Sequence, residues 1–187
     1  MLAIAGGKGG VGKTTTALAL ARARNALVVD CDRDCPDLGR LAGVGEQPGV
    51  GALARGRSLA ACAGESDGAL VVPLEPNTPS DTIEAALRGL PSGSIVDCPA
   101  GAGRDAALPL RVADRALLVT TATPQALADT AKTAAMARAL DCPPVAVAVT
   151  GPRQAPDAGT LLGCDRVCHL PTPDAAPRIA RLLPRFV

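Results

Sequence analysis

Four residues able to do chemistry fall within eight positions: Lys8, Lys13, Thr14 and Thr15. They are set among Gly6, Gly7, Gly9, Gly10, Val11 and Gly12. The order Gly7-x-x-x-x-Gly12-Lys13-Thr14 has the spacing of a phosphate-cradling loop. Glycines adopt backbone angles closed to other residues and let amide N–H groups come close to phosphate oxygens. Lys13 supplies a point charge for β and γ phosphates, and the Thr14 hydroxyl is placed to ligate Mg²⁺.

Two further acidic clusters have the right chemistry to serve the same loop. Asp30-Cys31-Asp32 ends an apolar run, and so does Asp97-Cys98-Pro99-Ala100-Gly101. An apolar strand ending in aspartate is the second half of a phosphate-loop site, its carboxylate holding Mg²⁺ through water. The strand ending at Asp97 fits that pattern. Asp32, Asp34 and Asp37 have an alternative role as helix caps after Pro36.

These side chains need elements to bring them together. Leu2 to Ala5 reads as a buried strand and Thr14 to Ala23 as an apolar helix, so strand, glycine loop and helix follow in the order that seats a phosphate on a helix N-terminus. Further strands are expected at residues 26–29, 69–72, 94–97, 116–119, 145–149 and 165–171. Helices are expected at 38–41, 53–63, 82–88 after a Ser80 or Asp81 cap, 104–112, 125–140 after Thr123-Pro124, and 174–187, with a glycine-rich loop over 43–51. Alternation of this kind predicts a parallel sheet with ligand at the strand carboxyl ends.

Lys8 is not required by the general loop pattern. The chain has three lysines (8, 13 and 132) against sixteen arginines, and two of the three lie in this loop. The unbroken string from Lys8 to Thr15 resembles the signature of the MinD/ParA family of deviant Walker A ATPases, and Asp97-x-Pro99-Ala100-Gly101 is close to the form in its MinD branch. The resemblance covers most of the chain, with its specific motifs in residues 2–38 and 94–101. It implies a three-layer P-loop NTPase α/β fold, with a mostly parallel sheet and helices on both faces, formed by residues 1–187 as one domain. It implies an ATP hydrolase with Mg²⁺, dimeric when ATP is bound, that positions cellular structures, plasmids, chromosomes or division machinery.

By the same resemblance, Lys8 reaches the phosphates bound by the partner subunit, and Asp32, in a switch I segment over 29–38, orients the attacking water. Asp30 supports the magnesium site through a water, and Gly101, as switch II, offers its N–H to the γ-phosphate. Thr150 stands where many members carry an asparagine that reads adenine. The helix over 125–140 is the family's partner- or regulator-facing helix, and equally an ordinary amphipathic one. Residues 174–187 resemble the family's membrane-binding tail, although Pro184 interrupts them and a closing helix packed on the sheet is the plainer reading; membrane or DNA is the surface the resemblance offers.

Composition bounds the alternatives. Phe186 is the single aromatic, so platforms for stacking single-stranded nucleic acid are missing, and a net charge of +1 gives no overall electrostatic footprint for nucleic acid. No leader-like or membrane-spanning run is visible, which leads to the expectation of a cytoplasmic protein whose seven cysteines are reduced. Cys98 reads as a small buried hydrophobe. Cys164-x-x-x-Cys168-His169 lacks the tight pairing of a structural zinc site. Two other classes stay open: a metallocentre-assembly factor of the same superfamily using Cys98, Cys164 or Cys168, and a small-molecule ligase resembling dethiobiotin synthetase.

Overall fold

In the computed structural model, which describes residues 1–45 and 47–172, one eight-stranded sheet runs through the protein. Its strands are β1 (Leu2–Ala5), β2 (Leu27–Asp30), β3 (Gly64–Ser66), β4 (Ala69–Val72), β5 (Ile95–Asp97), β6 (Arg115–Thr121), β7 (Pro144–Thr150) and β8 (Val167–Leu170). The spatial order is β3-β4-β2-β5-β1-β6-β7-β8. Every pairing is parallel except the β3–β4 hairpin at one edge.

The central strands are short apolar runs because both faces are covered. Leu2, Ile4, Val28, Leu117, Val119, Ala146 and Ala148 point to one face, where they pack with α1 (Lys13–Arg24) and α2 (Leu38–Ala42). Ala3, Ala5, Leu118, Val147 and Val149 point to the other. There they meet α6 (Arg104–Leu110), α7 (Pro124–Ala139) and α8 (Ala158–Leu162). Beside them Leu27, Val29, Val72 and Val96 pack with α3 (Val50–Ala54), α4 (Leu59–Cys62) and α5 (Ser80–Arg88). The three-layer arrangement expected from the sequence is the one found.

The departures are local. The helix expected over 53–63 is two short pieces, α3 and α4. Gly56, at φ 86°, turns the chain out of the helical region between them. Helix α3 begins at Val50, inside the expected glycine loop, because Glu75 accepts the Gly51 and Ala52 amides at its start. Strand β3 was not anticipated; Asp67-Gly68, with φ 47° and 82°, makes the two-residue turn into β4. Helix α8 was likewise missed. Neither Ser80 nor Asp81 caps α5, which starts after Pro79 with no side-chain cap. Thr123 does cap α7, accepting from the Ala126 amide at 3.3 Å, with Pro124 in the first turn. The expected helix at 174–187 lies outside the described residues. Among those described, no helix is long and apolar enough to cross a membrane.

Candidate functional site

Strand β1 sits at the sheet centre, flanked by β5 and β6, and releases the glycine loop at its carboxyl end. Two glycines there are set by packing. A Cβ on Gly6 would lie 2.4 Å from the Val119 carbonyl oxygen. One on Gly7 would lie 2.1 Å from the backbone carbon of Asp129 in α7. The loop tip is different: among the described residues nothing lies within 4 Å of a Cβ at Gly9 or Gly10. Gly10 and Gly12, at φ 76° and 91°, need the left-handed region, and Gly12 is the N-cap of α1.

Val11 anchors the tip by burying its side chain in the core, 3% exposed. Among the described residues, the amides of Gly9, Gly10, Val11 and Gly12 donate to nothing. They surround the start of a twelve-residue helix whose first turn has no acidic residue. Free N–H groups at a positive helix end form an anion cradle. Lys13, 6% exposed, bends its ammonium back to the Lys8 carbonyl at 3.4 Å. The Lys8 side chain itself is exposed.

The acids lie beside this cradle. Asp30 and Asp97 end neighbouring strands in direct register. Both are buried, 0% and 1% exposed. Burial pushes the Asp30 carboxyl up to about 8, with the adjacent Asp97 adding to it and the Asp32 and Leu38 amides opposing. Its two oxygens accept those amides at 2.9 and 3.1 Å, so Asp30 ties both ends of the loop after β2.

Burial likewise raises Asp97 to about 7, against a hydrogen bond from Thr14 and the charge of Lys13. One Asp97 oxygen, Oδ1, is buried with no hydrogen-bond partner among the described residues. Two buried carboxylates, an orphaned oxygen and a threonine hydroxyl at the same place fit a divalent cation, with Thr14 and Asp97 as the residues to hold it. Asp32 is half-buried; its Oδ1 accepts from the Asp34 and Cys35 amides, each at 3.2 Å, and burial raises its carboxyl while Lys13 holds it down.

Two expected site residues are otherwise engaged. The Thr150 hydroxyl donates to the Val11 carbonyl at 2.7 Å and approaches the Thr120 carbonyl at 3.0 Å. It braces the underside of the loop from a position the sequence offered as a nucleotide contact. The Gly101 amide donates to the Gly6 carbonyl at 2.9 Å, a bond that would have to break before it could serve a phosphate. Cys98 and Cys164 are buried thiols, and the His169 ring donates to the Gly151 carbonyl at 2.7 Å. Among the described residues no metal-binding group of three or more His, Cys, Asp or Glu is present.

Helix α7 contributes residues the sequence did not flag. The Thr130 hydroxyl accepts from the Gly7 amide at 3.3 Å, and the Thr133 hydroxyl donates to the Gly101 carbonyl at 3.1 Å. Thr130, Thr133 and their neighbours are spaced like any Ala-rich helix, and nothing in that spacing marks them. Arg33, next to Asp32, reaches the Ser80 hydroxyl at 2.9 Å and Asp105 of α6 at 3.5 Å.

No curated protein sequence matches the chain. Among solved structures it is similar to the cell division ATPase MinD of Pyrococcus furiosus. That likeness has a TM-score of 0.74 and 24% identity, over 92% of this chain and 83% of that one. It is similar to the septum site-determining protein MinD of Pyrococcus horikoshii, complexed with Mg-ADP, at TM-score 0.78 and 20% identity over 98% and 86%. It is also similar to cobyrinic acid a,c-diamide synthase of Mycobacterium smegmatis, bound to an ATP analogue and magnesium, at 0.72 and 20% over 97% and 90%. These likenesses describe the fold. A family model, the CobQ/CobB/MinD/ParA nucleotide-binding domain, matches residues 2–166. Because that match runs through most of the sequence and takes in both the glycine loop and the acidic strand ends, the chain belongs to the CobQ/CobB/MinD/ParA family of nucleotide-binding domains.

Proposed function

We propose that the protein is a MinD/ParA-type ATPase, a switch that dimerises around ATP and separates after hydrolysis, and whose output is the positioning of a cellular structure, plasmid, chromosome or division machinery. The observation that carries this reading is the placement of the two loop lysines. Lys13 is buried and faces inward over the cradle, whereas Lys8 is exposed at the rim with open space around Gly9 and Gly10. A single protomer has one use for a phosphate-facing lysine. A second one turned outward suits a triphosphate shared with another copy.

In this reading the free amides of residues 9–12 and the Lys13 ammonium bind the β and γ phosphates, and Lys8 of one protomer reaches the nucleotide of the other. Asp32 orients water, with its carboxylate fixed by the Asp34 and Cys35 amides. Thr14 and Asp97 hold Mg²⁺, with Asp30 behind them. The metal supplies charge neutralisation at the β and γ phosphates. Catalysis of this kind is positioning plus electrostatics, which is what a preformed cradle provides. The protein would work in the cytoplasm and reach a membrane or DNA surface through its partners or residues 174–187.

The test is light scattering of the wild type with and without ATP and Mg²⁺, alongside Asp32→Ala, which should trap the ATP dimer, and Lys8→Ala. A dimer that needs ATP, persists in Asp32→Ala and disappears in Lys8→Ala supports the proposal. Monomers under all conditions refute it. An ATP-dependent ligase activity that survives intact in Lys8→Ala would instead favour the synthetase-like class.

A further inference from the structure

Helix α7 touches the nucleotide site at two points, and the two contacts are of different kinds. Thr130 and Thr133 stand about one turn apart, 0% and 1% exposed. A helical threonine ordinarily returns its hydroxyl proton to the carbonyl four residues back. Thr130 does so, donating to the Ala126 carbonyl at 2.7 Å, and is left to accept the Gly7 amide. Thr133 does not close on its own helix first. Its nearer acceptor is the Gly101 carbonyl at 3.1 Å, and the helical one, on Asp129, is at 3.4 Å. One proton therefore faces two acceptors, one fixed in α7 and one in the loop after β5.

That loop is built to move. Gly101 has φ 90°, and its amide is held by the Gly6 carbonyl. Pointing its N–H at a phosphate turns the Ala100–Gly101 peptide and breaks the bond to Gly6; the Gly101 carbonyl lies in the next peptide, so the Thr133 bond is given up only where the loop after β5 turns with it as a unit. Glycine permits such a turn without Cβ strain. The Thr133 hydroxyl would remain satisfied, because it can close fully on the Asp129 carbonyl. A buried hydroxyl with no alternative acceptor would make the turn far more costly.

We propose that Thr133 is a positioning residue of the nucleotide switch. Its hydroxyl clasps the Gly101 carbonyl while the Gly101 amide is bonded to Gly6, and passes to the Asp129 carbonyl when the loop turns Gly101 toward a γ-phosphate. This rests on the ATPase reading above, in which Gly101 senses the γ-phosphate. The clasp biases the protein against the triphosphate state, so that nucleotide, rather than thermal motion, drives the turn.

The experiment compares wild type with Thr133→Val, which keeps the shape and loses the hydroxyl, Thr133→Ala as a smaller second deletion, and Thr133→Ser, which restores it. Exchange of the Gly101 amide is read by NMR on glycine-labelled, nucleotide-free protein. Affinities for ADP and a non-hydrolysable ATP analogue are measured in parallel. One net hydrogen bond corresponds to roughly fivefold in an equilibrium. Both deletions should speed Gly101 exchange about fivefold and shift the ADP-to-analogue affinity ratio about fivefold toward the analogue, and Thr133→Ser should restore both.

Gly101 exchange within about twofold of wild type in a folded deletion variant removes the clasp. Faster exchange with an unmoved affinity ratio overturns its link to the γ-phosphate. Wild-type protein that bound neither nucleotide would bring down the parent reading and the γ-phosphate step with it, an outcome distinguishable because the exchange measurement needs no nucleotide.

Discussion

Substituting Gly7 tests the most consequential contact in the site, the approach of the glycine loop to α7. An alanine Cβ there would lie 2.1 Å from the Asp129 carbonyl carbon, 2.2 Å from the Thr130 nitrogen and 2.4 Å from the Asp129 oxygen. Ordinary carbon contacts begin near ~3.5 Å. Loop and helix must therefore separate by roughly 1 Å, and the atoms in the way are backbone, which cannot rotate aside. Overpacking of a tight interior costs about 1–3 kcal/mol, and losing the Gly7 to Thr130 hydrogen bond adds about 1 kcal/mol. A loss of about 3 kcal/mol in a protein of this size lowers Tm by about 6–12 °C. The control is Gly9→Ala, where a Cβ meets nothing within 4 Å and stability should change by less than about 0.5 kcal/mol. Thermal unfolding of the two variants side by side is the assay. Equal Tm values would refute the claim that helix proximity fixes Gly7.

Three further outcomes are expected. The buried carboxylates make metal-free stability fall with pH. Asp30 and Asp97 bind their protons more tightly folded than unfolded, up to about 8 and about 7, so the native state carries the extra protons from about pH 4 upward and loses stability as pH rises through that window. Each group contributes at most about 1.4 kcal/mol per pH unit. Urea unfolding with chelator at pH 5 and pH 8 should show the decline, and Asp97→Asn should flatten it; a rise in stability over this range would contradict the burial argument. Thr150→Val should destabilise by about 1–2 kcal/mol through the lost Val11 and Thr120 contacts, leaving the relative binding of ATP and GTP unchanged, as measured by competition binding. Lys8→Ala should leave Tm within about 1 °C of wild type, because its side chain is exposed.

The loop and the acidic strand ends were legible because their geometry is carried by chain neighbours. Gly7 to Thr14 is contiguous, and Asp30 and Asp97 each sit at the end of an apolar run whose direction the alternation of elements dictates. The expected sheet and its layers followed from the same local patterns. What escaped was non-local. The contact that fixes Gly7 is with a residue 123 positions away, and no spacing reports it. Thr150 was singled out for where it falls along the chain, and that position could not report the bond its hydroxyl makes to the loop carbonyl beneath. Thr133 looks like a helix filler until Gly101 is placed against it.

Other misses had a signal that a stronger apolar pattern masked. Asp67-Gly68 carries the composition of a tight hairpin turn, yet the three residues of β3 before it are too short and polar to read as a strand. Gly56 breaks the helix expected over 53–63; the glycine itself was the available clue, and its backbone is left-handed.

The central place of β1 has a consequence for biosynthesis. Leu2 pairs with Ile95 on one side and Arg115 on the other, so this strand leaves the ribosome roughly ninety residues before either neighbour exists. At translation rates of about 5–20 residues per second, it waits some 5–20 s with its backbone unpaired. The nucleotide cradle it carries is thus finished late, and its nascent precursor is a natural client for whatever shields sticky segments during synthesis.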